Sequence, residues 1–545
     1  MNPLQTVILG AGIAGMSAAL HLARRHIRTI IIAPVPSVRS QSVMAEGGIN
    51  AALGPDDSAE LHFRDTWNSG CRLADQEAVY HLTRRAPEVI KELVDLGMAF
   101  TLDKDGKPAL RPFGGQSVNR TAHADSTTGK QIVTALIYEL RRHEAEGLIK
   151  RLTGWQFLDL EIHDDAVCCL HLYNRRTKES ARIPCSQVIS AAGGLNGLFG
   201  NTTGSVVNTG DVSARLFTRG VTFANGELVQ YHPTTFRRPG KNMLISEAVR
   251  GAGGRLFTEL NGKRIYFMEE KFGPKGNLKP RDVVSKEEYH VVHDLGGHIY
   301  LDATGIPASV FTASLSGFAH DCREYFNTDP QTTPLPVLYG IHYFMGGLHV
   351  DLHHRTNIRG LYSAGENACQ YHGANRLGGN SLLGAYFGGL VAAESVATVV
   401  LPEDCGNTDI PVFTAPADDE ATYGNKKNRP GSYAHAVSEL QFLMQKSMAI
   451  SRDEEGLLQG LAAVRALQHR IADTYDPEAA YDENTLLPHR LILAEAMMLG
   501  ALERKESRGA HNRSDYPQTN EIYEKTHIYT YKDGRISLSW QKENS

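Results

Sequence analysis

The stretch of this chain whose residue types and spacing most directly imply chemistry is Gly10-Ala11-Gly12-Ile13-Ala14-Gly15. It follows an apolar run, Val7-Ile8-Leu9, and precedes Met16, Ala19, Leu20, Leu22 and Ala23 at helical spacing, so it reads as the turn of a strand–turn–helix unit. In such a turn Gly10 permits a sharp reversal, Gly12 leaves room for a pyrophosphate against the backbone, and Gly15 lets helix and strand approach. The helix N-terminus adds oriented N–H groups and a partial positive charge. The ligand this chemistry takes is a dinucleotide. The next strand, residues 29–32, ends in Ala33-Pro34, where a nicotinamide site would place an acid for the ribose hydroxyl. That gap, with a second glycine turn at Glu46-Gly47-Gly48, favours an extended FAD.

Two further features fit a cofactor held between loops. Ser190-Ala191-Ala192-Gly193-Gly194 reads as a strand stopped by paired glycines, and Asn208-Thr209-Gly210-Asp211 opens a helix whose Asp211 is either an N-cap or a flavin contact. Helices are expected over residues 76–96 and 129–146, with β-like runs at 155–160, 167–173 and 181–190. The polar stretch 104–128, punctuated by Pro108, Pro112 and Gly114-Gly115, reads as a long loop fit to line a site.

The alternating β/α rhythm stops near Glu227, and residues 227–341, rich in glycine, proline and charge, read as an inserted domain. The rhythm returns at Leu361-Tyr362-Ser363-Ala364-Gly365-Glu366, so the first domain is discontinuous, residues 1–226 and 342–402. The apolar window 382–401, interrupted by Glu394 and Ser395, reads as a buried core helix rather than a membrane span. Residues 403–428 form a linker by composition. Residues 429–512 read as amphipathic helices, with Leu457, Leu461, Val464 and Leu467 on one stripe, and 513–545 as a polar tail with one alternating run at 528–531.

At 545 residues the chain is long enough for several domains, and its formal net charge of −5 excludes a polycationic, nucleic-acid-binding surface. Cys71, Cys168, Cys169, Cys185, Cys322, Cys369 and Cys405 form no C-x-x-C pair, so they read as reduced thiols of a cytosolic protein with no metal or iron–sulfur site. A strand beginning at about Thr6 leaves no room for a secretory signal.

Ten collinear motifs then carry a resemblance: Gly10-Ala-Gly-Ile-Ala-Gly15, Arg39-Ser-Gln-Ser-Val-Met-Ala-Glu-Gly-Gly48, Phe113-Gly-Gly115, Ala191-Ala-Gly-Gly194, Val229-Gln-Tyr-His-Pro-Thr234, Ser246-Glu-Ala-Val-Arg-Gly251, Pro280-Arg-Asp282, His342-Tyr-Phe-Met-Gly-Gly347, His372-Gly-Ala-Asn-Arg-Leu377 and Arg504-Lys-Glu-Ser-Arg-Gly-Ala-His511. The sequence resembles the flavoprotein subunit of fumarate reductase and succinate dehydrogenase, whose relatives include L-aspartate oxidase. The resemblance implies an α/β fold in which a Rossmann-like FAD-binding domain is interrupted by an α+β capping domain and followed by a helical C-terminal domain. It implies a four-carbon dicarboxylate substrate, with His232 and Ser246 on one carboxylate and His342 and Arg376 on the other. Arg281 takes the place of the proton donor, with Glu247 and Arg250 as the relay that reprotonates it. Such a reaction needs donors and cations where carboxylate charge develops and an acid for the second carbon. The implied FAD contacts are Gly10, Ala11, Gly12, Ala14 and Gly15; Ser40, Gln41, Ser42, Glu46, Gly47 and Gly48; Ala192, Gly193 and Asp211; and Glu366, Arg376, Ser381 and Leu382. His123, His353 and His354 fall outside the pattern and read as surface or loop histidines.

Two departures refine the expectation. Many members carry Arg-Ser-His-Thr, whose histidine bonds covalently to the flavin; here the run is Arg39-Ser40-Gln41-Ser42, so FAD is expected to be non-covalent and the chemistry biased toward fumarate reduction. Aspartate oxidases typically place an acid before the Gly-Gly of the active-site loop to hold the substrate ammonium; here Phe113 stands there, which favours the reductase over the oxidase alternative. A third alternative is an electron-transferring assembly subunit. With no haem motif or cluster cysteines, electrons must come from a separate iron–sulfur protein subunit or a soluble donor. The expected location is cytoplasmic, or peripheral at the inner face of the membrane through partner subunits, with no direct membrane span and no nucleic-acid partner.

Overall fold

The near-continuous apolar character of the first strands reflects a sheet covered on both faces. β1 (Thr6–Leu9), β2 (Thr29–Ala33), β3 (Ile149–Thr153) and β4 (Gln187–Ser190) are parallel, and with Leu361–Ser363 they lie in the order Leu361–Ser363, β4, β1, β2, β3. α1 (Ile13–Ala23) is buried along its whole length against this sheet. The computed structural model describes residues 6–238, 241–401, 412–414 and 426–542.

The β-like run expected over 181–190 is two strands in different sheets. Glu179–Pro184 belongs to an antiparallel sheet with Val412–Thr414, Ala166–Asn174 and Trp155–His163, and β4 to the parallel one. Pro184 has no N–H with which to continue a ladder, so the chain changes sheets there. α2 (Asp211–Thr218) begins at Asp211, with Gly210 at φ +83° in the cap position. Asp211 is therefore the first helical residue and not the N-cap.

Within residues 227–341 the chain builds an antiparallel six-stranded sheet around β5 (Val229–Arg238). The helices α3 (Ala248–Gly251) and α4 (Arg281–His293) follow, and β6 (Leu335–Phe344) returns beside β5. The strand order is Lys241–Leu244, β5, β6, Ile299–Asp302, Arg255–Leu260, Lys263–Ile265. Leu256, Met268, Val284, Val291, Ile299 and Leu301 form its apolar core. Register slips between β5 and β6 leave His342 unpaired, because Gln230 faces Tyr343 and Tyr231 faces Ile341; a second slip follows His232. Bulges re-aim side chains at the edges of sites, and here both fall on histidines singled out in the sequence.

α5 (Asn380–Val396) occupies most of the window read as a core helix and is buried there. A Cβ on its Gly389 would lie 2.2 Å from Ala14 O, so that glycine is what lets α5 lie against α1. Most of the expected linker, 403–411 and 415–425, lies outside the described residues. α6 (Ser432–Ser447), α7 (Glu454–Ala472) and α8 (Tyr481–Glu503) pack together, with Leu457, Leu461, Val464 and Leu467 buried. Among the described residues α8 is the one helix long and apolar enough to cross a membrane, and 61% of its apolar window is buried inside the fold. The polar tail holds two strands rather than one alternating run: β7 (Thr526–Lys532) and β8 (Arg535–Gln541) form a hairpin. Asp533 and Gly534, both at positive φ, make the two-residue turn.

Candidate active site

The turn between β1 and α1 forms one wall of a cavity of about 460 Å³ that extends to the capping sheet. A Cβ on Gly10 would meet Ala191 O at 2.2 Å and one on Gly15 would meet Gly10 O at 2.0 Å, so neither position accepts a side chain. Gly12 caps α1 without a side-chain hydrogen bond, and Ser42 Oγ accepts the Ile13 N–H at 3.1 Å. Ala11, Ala14, Ser40, Gln41 and Ser42 continue this wall, and Gln41 Oε1 accepts the Ser205 N–H. Glu46 and Gly47 are held by Arg111, whose Nε donates to Gly47 O and Nη2 to Glu46 O, each at 2.9 Å, and Gly48 follows them on the wall. Arg111 was not singled out in the sequence; its signal is its place in the 104–128 loop.

Ala192 and Gly193 follow β4, with Gly193 at φ +81° and the Asn208 side chain against it. Glu366 accepts the Phe344 N–H at 3.1 Å, and burial pushes its carboxyl up to about 7. Ser381 and Leu382 line the cavity at the start of α5. Asp211 also lines it, but its carboxylate is taken by Arg490 of α8 and by Thr209 Oγ1 at 2.6 Å. The structure therefore brings the expected FAD contacts to one cavity except Gly15, which packs against Gly10 O behind the wall. The cavity's side-chain-free glycine wall and the Asn208 Nδ2 and Ser40 Oγ beside it, unpartnered among the described residues, suit an extended dinucleotide with phosphates at the α1 N-terminus.

At the other end of the cavity stand Ser246, Glu247, Arg281, His232, His342 and Arg376. Arg281 opens α4; its Nε donates to Glu247 Oε2 at 2.9 Å and its Nη1 to Gln230 Oε1 at 3.2 Å. Glu247 Oε1 accepts the Gly114 N–H at 2.7 Å and lies 3.6 Å from Arg250 Nη2. Burial would raise the Glu247 carboxyl, but Arg281, Arg250 and the Gly114 N–H together hold it below its ordinary value. Arg250 lies behind Glu247 rather than on the cavity wall.

The two imidazoles stand edge to face with centroids 5.1 Å apart. His232 Nδ1 lies within 3.1 to 3.2 Å of the Thr234 backbone and His342 Nδ1 lies 2.7 Å from Thr203 Oγ1, which leaves each Nε2 for the cavity. Burial, and then the charge of Arg281, push both far below the usual imidazole range, so they are neutral donors and the positive charge resides on the arginines. Arg376 lies with its guanidinium carbon 4.4 Å over the Tyr343 ring, its Nε unpartnered among the described residues, and burial followed by Arg281 lowers it to about 9. Gln230, which was not assigned to the site, joins the two halves by donating to Asn375 Oδ1 at 2.8 Å and to Arg376 O at 2.9 Å. Phe113 is buried on the wall with Arg111 5.7 Å from its ring.

Two histidines read as surface or loop residues are buried. His123 is 4% exposed, and His354 bonds Ser363 O at 2.6 Å through Nδ1 and Tyr371 OH through Nε2. With both ring nitrogens satisfied, burying His354 costs little. His353 beside it is exposed.

The FAD binding domain family matches residues 5–382, and the fumarate reductase flavoprotein C-terminal family matches residues 437–544. The chain is 34% identical over 542 residues to the succinate dehydrogenase flavoprotein subunit of Bacillus subtilis, covering 96% of this chain and 92% of that one. It is 32% identical to the L-aspartate oxidase of Streptomyces coelicolor, covering 96% and 90%. Among solved structures, a quinol fumarate reductase chain of E. coli superposes with a TM-score of 0.89 at 27% identity, covering 99% of this chain and 97% of that one.

Proposed function

The chain belongs to the family of FAD-dependent fumarate reductase and succinate dehydrogenase flavoproteins, and from that premise we propose that it interconverts fumarate and succinate with a bias toward fumarate reduction. The observation that carries this reading is Arg281, hydrogen-bonded to Glu247 and facing the space between two imidazoles and Arg376. His232 and Ser246 hold one carboxylate; His342 and Arg376 hold the other, where the planar fork of Arg376 suits a bidentate contact. Bound FAD supplies the hydride for reduction and accepts it in the reverse direction. Arg281 gives an N–H proton to the second carbon, and Glu247 carries a proton from Arg250 to restore it. An arginine is a poor acid in water, and the relay through Glu247 keeps the transfer local.

FAD would bind without a covalent bond, since Gln41 cannot make the histidyl link, and Gly10, Gly12 and the α1 N-terminus would hold its pyrophosphate. The flavoprotein-subunit names of the relatives support a separate iron–sulfur partner as electron source, through which the chain sits peripherally at a membrane. Copurified iron protein tests that part.

L-aspartate oxidation is the second reading, favoured by the oxidase relative. Against it, Phe113 offers a substrate ammonium no carboxylate. Mixing fumarate with the reduced holoenzyme is expected to restore the oxidised flavin spectrum rapidly. Bleaching of the oxidised flavin by L-aspartate, with no response to fumarate, would reverse the assignment.

A further inference from the structure

Two turns beyond Arg281, α4 carries a second acid that the reaction described above does not use. Glu288 is 0% exposed, and neither of its carboxyl oxygens has a hydrogen-bond partner among the described residues. A carboxylate in that setting is expensive, a neutral carboxylic acid far less so. The charged group that bears on it is Arg250 of α3. Arg250 Nη1 donates to Asn277 O at 2.5 Å, while its Nε and Nη2 have no hydrogen-bond partner among the described residues. Its guanidinium thus feels two acids, Glu247 at 3.6 Å, which touches Arg281, and Glu288, which lies beyond direct hydrogen-bond reach. Seven residues along a helix span about 10.5 Å. Arg281 and Glu288 are therefore too far apart to exchange a proton directly, and Arg250 with Glu247 fills the interval.

We propose that Glu288 is the proton store of the reductive reaction, a neutral carboxylic acid that reprotonates Arg250 and, through Glu247, Arg281. This rests on the dicarboxylate-reduction reading. When Arg281 gives its N–H proton to the substrate carbon, the guanidinium proton of Arg250 passes by way of Glu247 to the neutral Arg281. No direct hydrogen bond joins Glu288 to Arg250 among the described residues, so one bridging water carries the O–H proton of Glu288 to Arg250 and leaves a carboxylate across that water from a guanidinium. Glu288 recovers one proton from water, so each turnover draws one solvent proton along this line and no electrons move on it. Burial raises the Glu288 carboxyl well above its ordinary value despite Arg250, the direction a proton store requires. Tyr339 of β6, a half-buried phenol whose own ionisation an ionised Glu288 would oppose, has its hydroxyl 2.8 Å from Nε2 of the exposed His293.

The test uses the holoenzyme with a reduced viologen as donor. Glu288→Gln is expected to lower kcat for fumarate about tenfold and to move the alkaline limb of the pH profile to lower pH. The KM for fumarate and the dissociation constant for succinate should stay at wild-type values, and Glu288→Asp should recover most of the rate. Infrared spectra of the resting holoenzyme should show a protonated-carboxyl C=O band, shifted in D2O and lost in Glu288→Gln. A Glu288→Gln enzyme with a wild-type pH profile, or a wild-type spectrum with no band assignable to Glu288, overturns the proposal. If the Gln variant does not fold, displacement of the band in Glu288→Asp decides the same question. A wild-type holoenzyme that ignores fumarate sinks the functional reading instead, and the infrared band still reports whether Glu288 holds a proton.

Discussion

Arg281 Nε donates to Glu247 Oε2 at 2.9 Å while Glu247 Oε1 accepts the Gly114 N–H at 2.7 Å, so one buried carboxylate ties α4 to the loop that carries Phe113. The same carboxylate orients the arginine and stands between it and Arg250. Glu247→Gln preserves size and one acceptor but cannot carry a proton. Fumarate reduction is expected to slow by roughly 10²-fold or more, with succinate binding, followed by flavin absorbance, changed only slightly. A loss of binding in step with the loss of rate would make Glu247 a packing residue and nothing more.

Among the described residues Arg376 differs from Arg281 in having no carboxylate partner: its backbone oxygen accepts from Gln230, its guanidinium lies over Tyr343, and its Nε is unpartnered. That leaves the planar fork free for a carboxylate of the substrate. Lysine supplies charge without the fork, so Arg376→Lys should lose one charge-assisted hydrogen bond, about 1.5–3 kcal/mol. The expected result is a KM for fumarate raised by roughly one to two orders of magnitude, with the flavin retained. An unchanged KM would remove Arg376 from the substrate clamp.

The β1 turn was legible in the sequence because a strand stop, three glycines and a helical stripe are local signals, and the structure places them where the pattern required. His232 and His342 were legible only through family resemblance. What aims them is a pair of bulges between β5 and β6, and pairing across more than a hundred residues leaves no mark in either strand alone. Arg490 escaped notice for the same reason, since its partner Asp211 is 279 residues away. The strand Arg535–Gln541 did carry its signal, with Ile536, Leu538 and Trp540 alternating after Asp533-Gly534, yet its serines and charges disguised it as tail.

Gln41 lies beside Ser42 on the cofactor wall with its amide oxygen held by the Ser205 N–H, and an amide offers no nucleophile to the flavin ring. Acid precipitation of the holoenzyme is expected to leave the yellow cofactor in the supernatant. Flavin that stays in the pellet would show another residue making the bond.

Away from the cavity, Arg504 Nε donates to Glu227 Oε1 at 2.6 Å with both side chains 0% exposed, and His527 and Tyr529 of β7 complete the cluster. This joins the C-terminal hairpin to the chain just ahead of β5. Removing one member of a buried pair strands the other charge, so Arg504→Met should destabilise the protein by about 3–5 kcal/mol. Urea denaturation is the measurement, and a variant as stable as wild type would show that water reaches Glu227.

Glu366 allows a test of the cavity by pH alone. Burial raises its folded-state carboxyl from the ordinary value of 4.5 to about 7, with the Phe344 N–H and Arg376 working in the opposite direction. The folded state therefore binds this proton more tightly than the unfolded chain does. The resulting stability is fully present below pH 4.5 and is lost as pH rises through about 7. A difference of that size corresponds to about 3 kcal/mol. Glu366→Gln has no proton to lose, so between pH 5 and 8 (roughly the window that linkage assigns to this group) the apoprotein of the variant should lose less stability than the wild type. Glu46, raised to about 8 by burial and Asp321, acts in the same direction in both proteins and cancels in the comparison. Parallel pH profiles for the two proteins would mean that Glu366 is solvated in the folded apoprotein and ionises as it does in water.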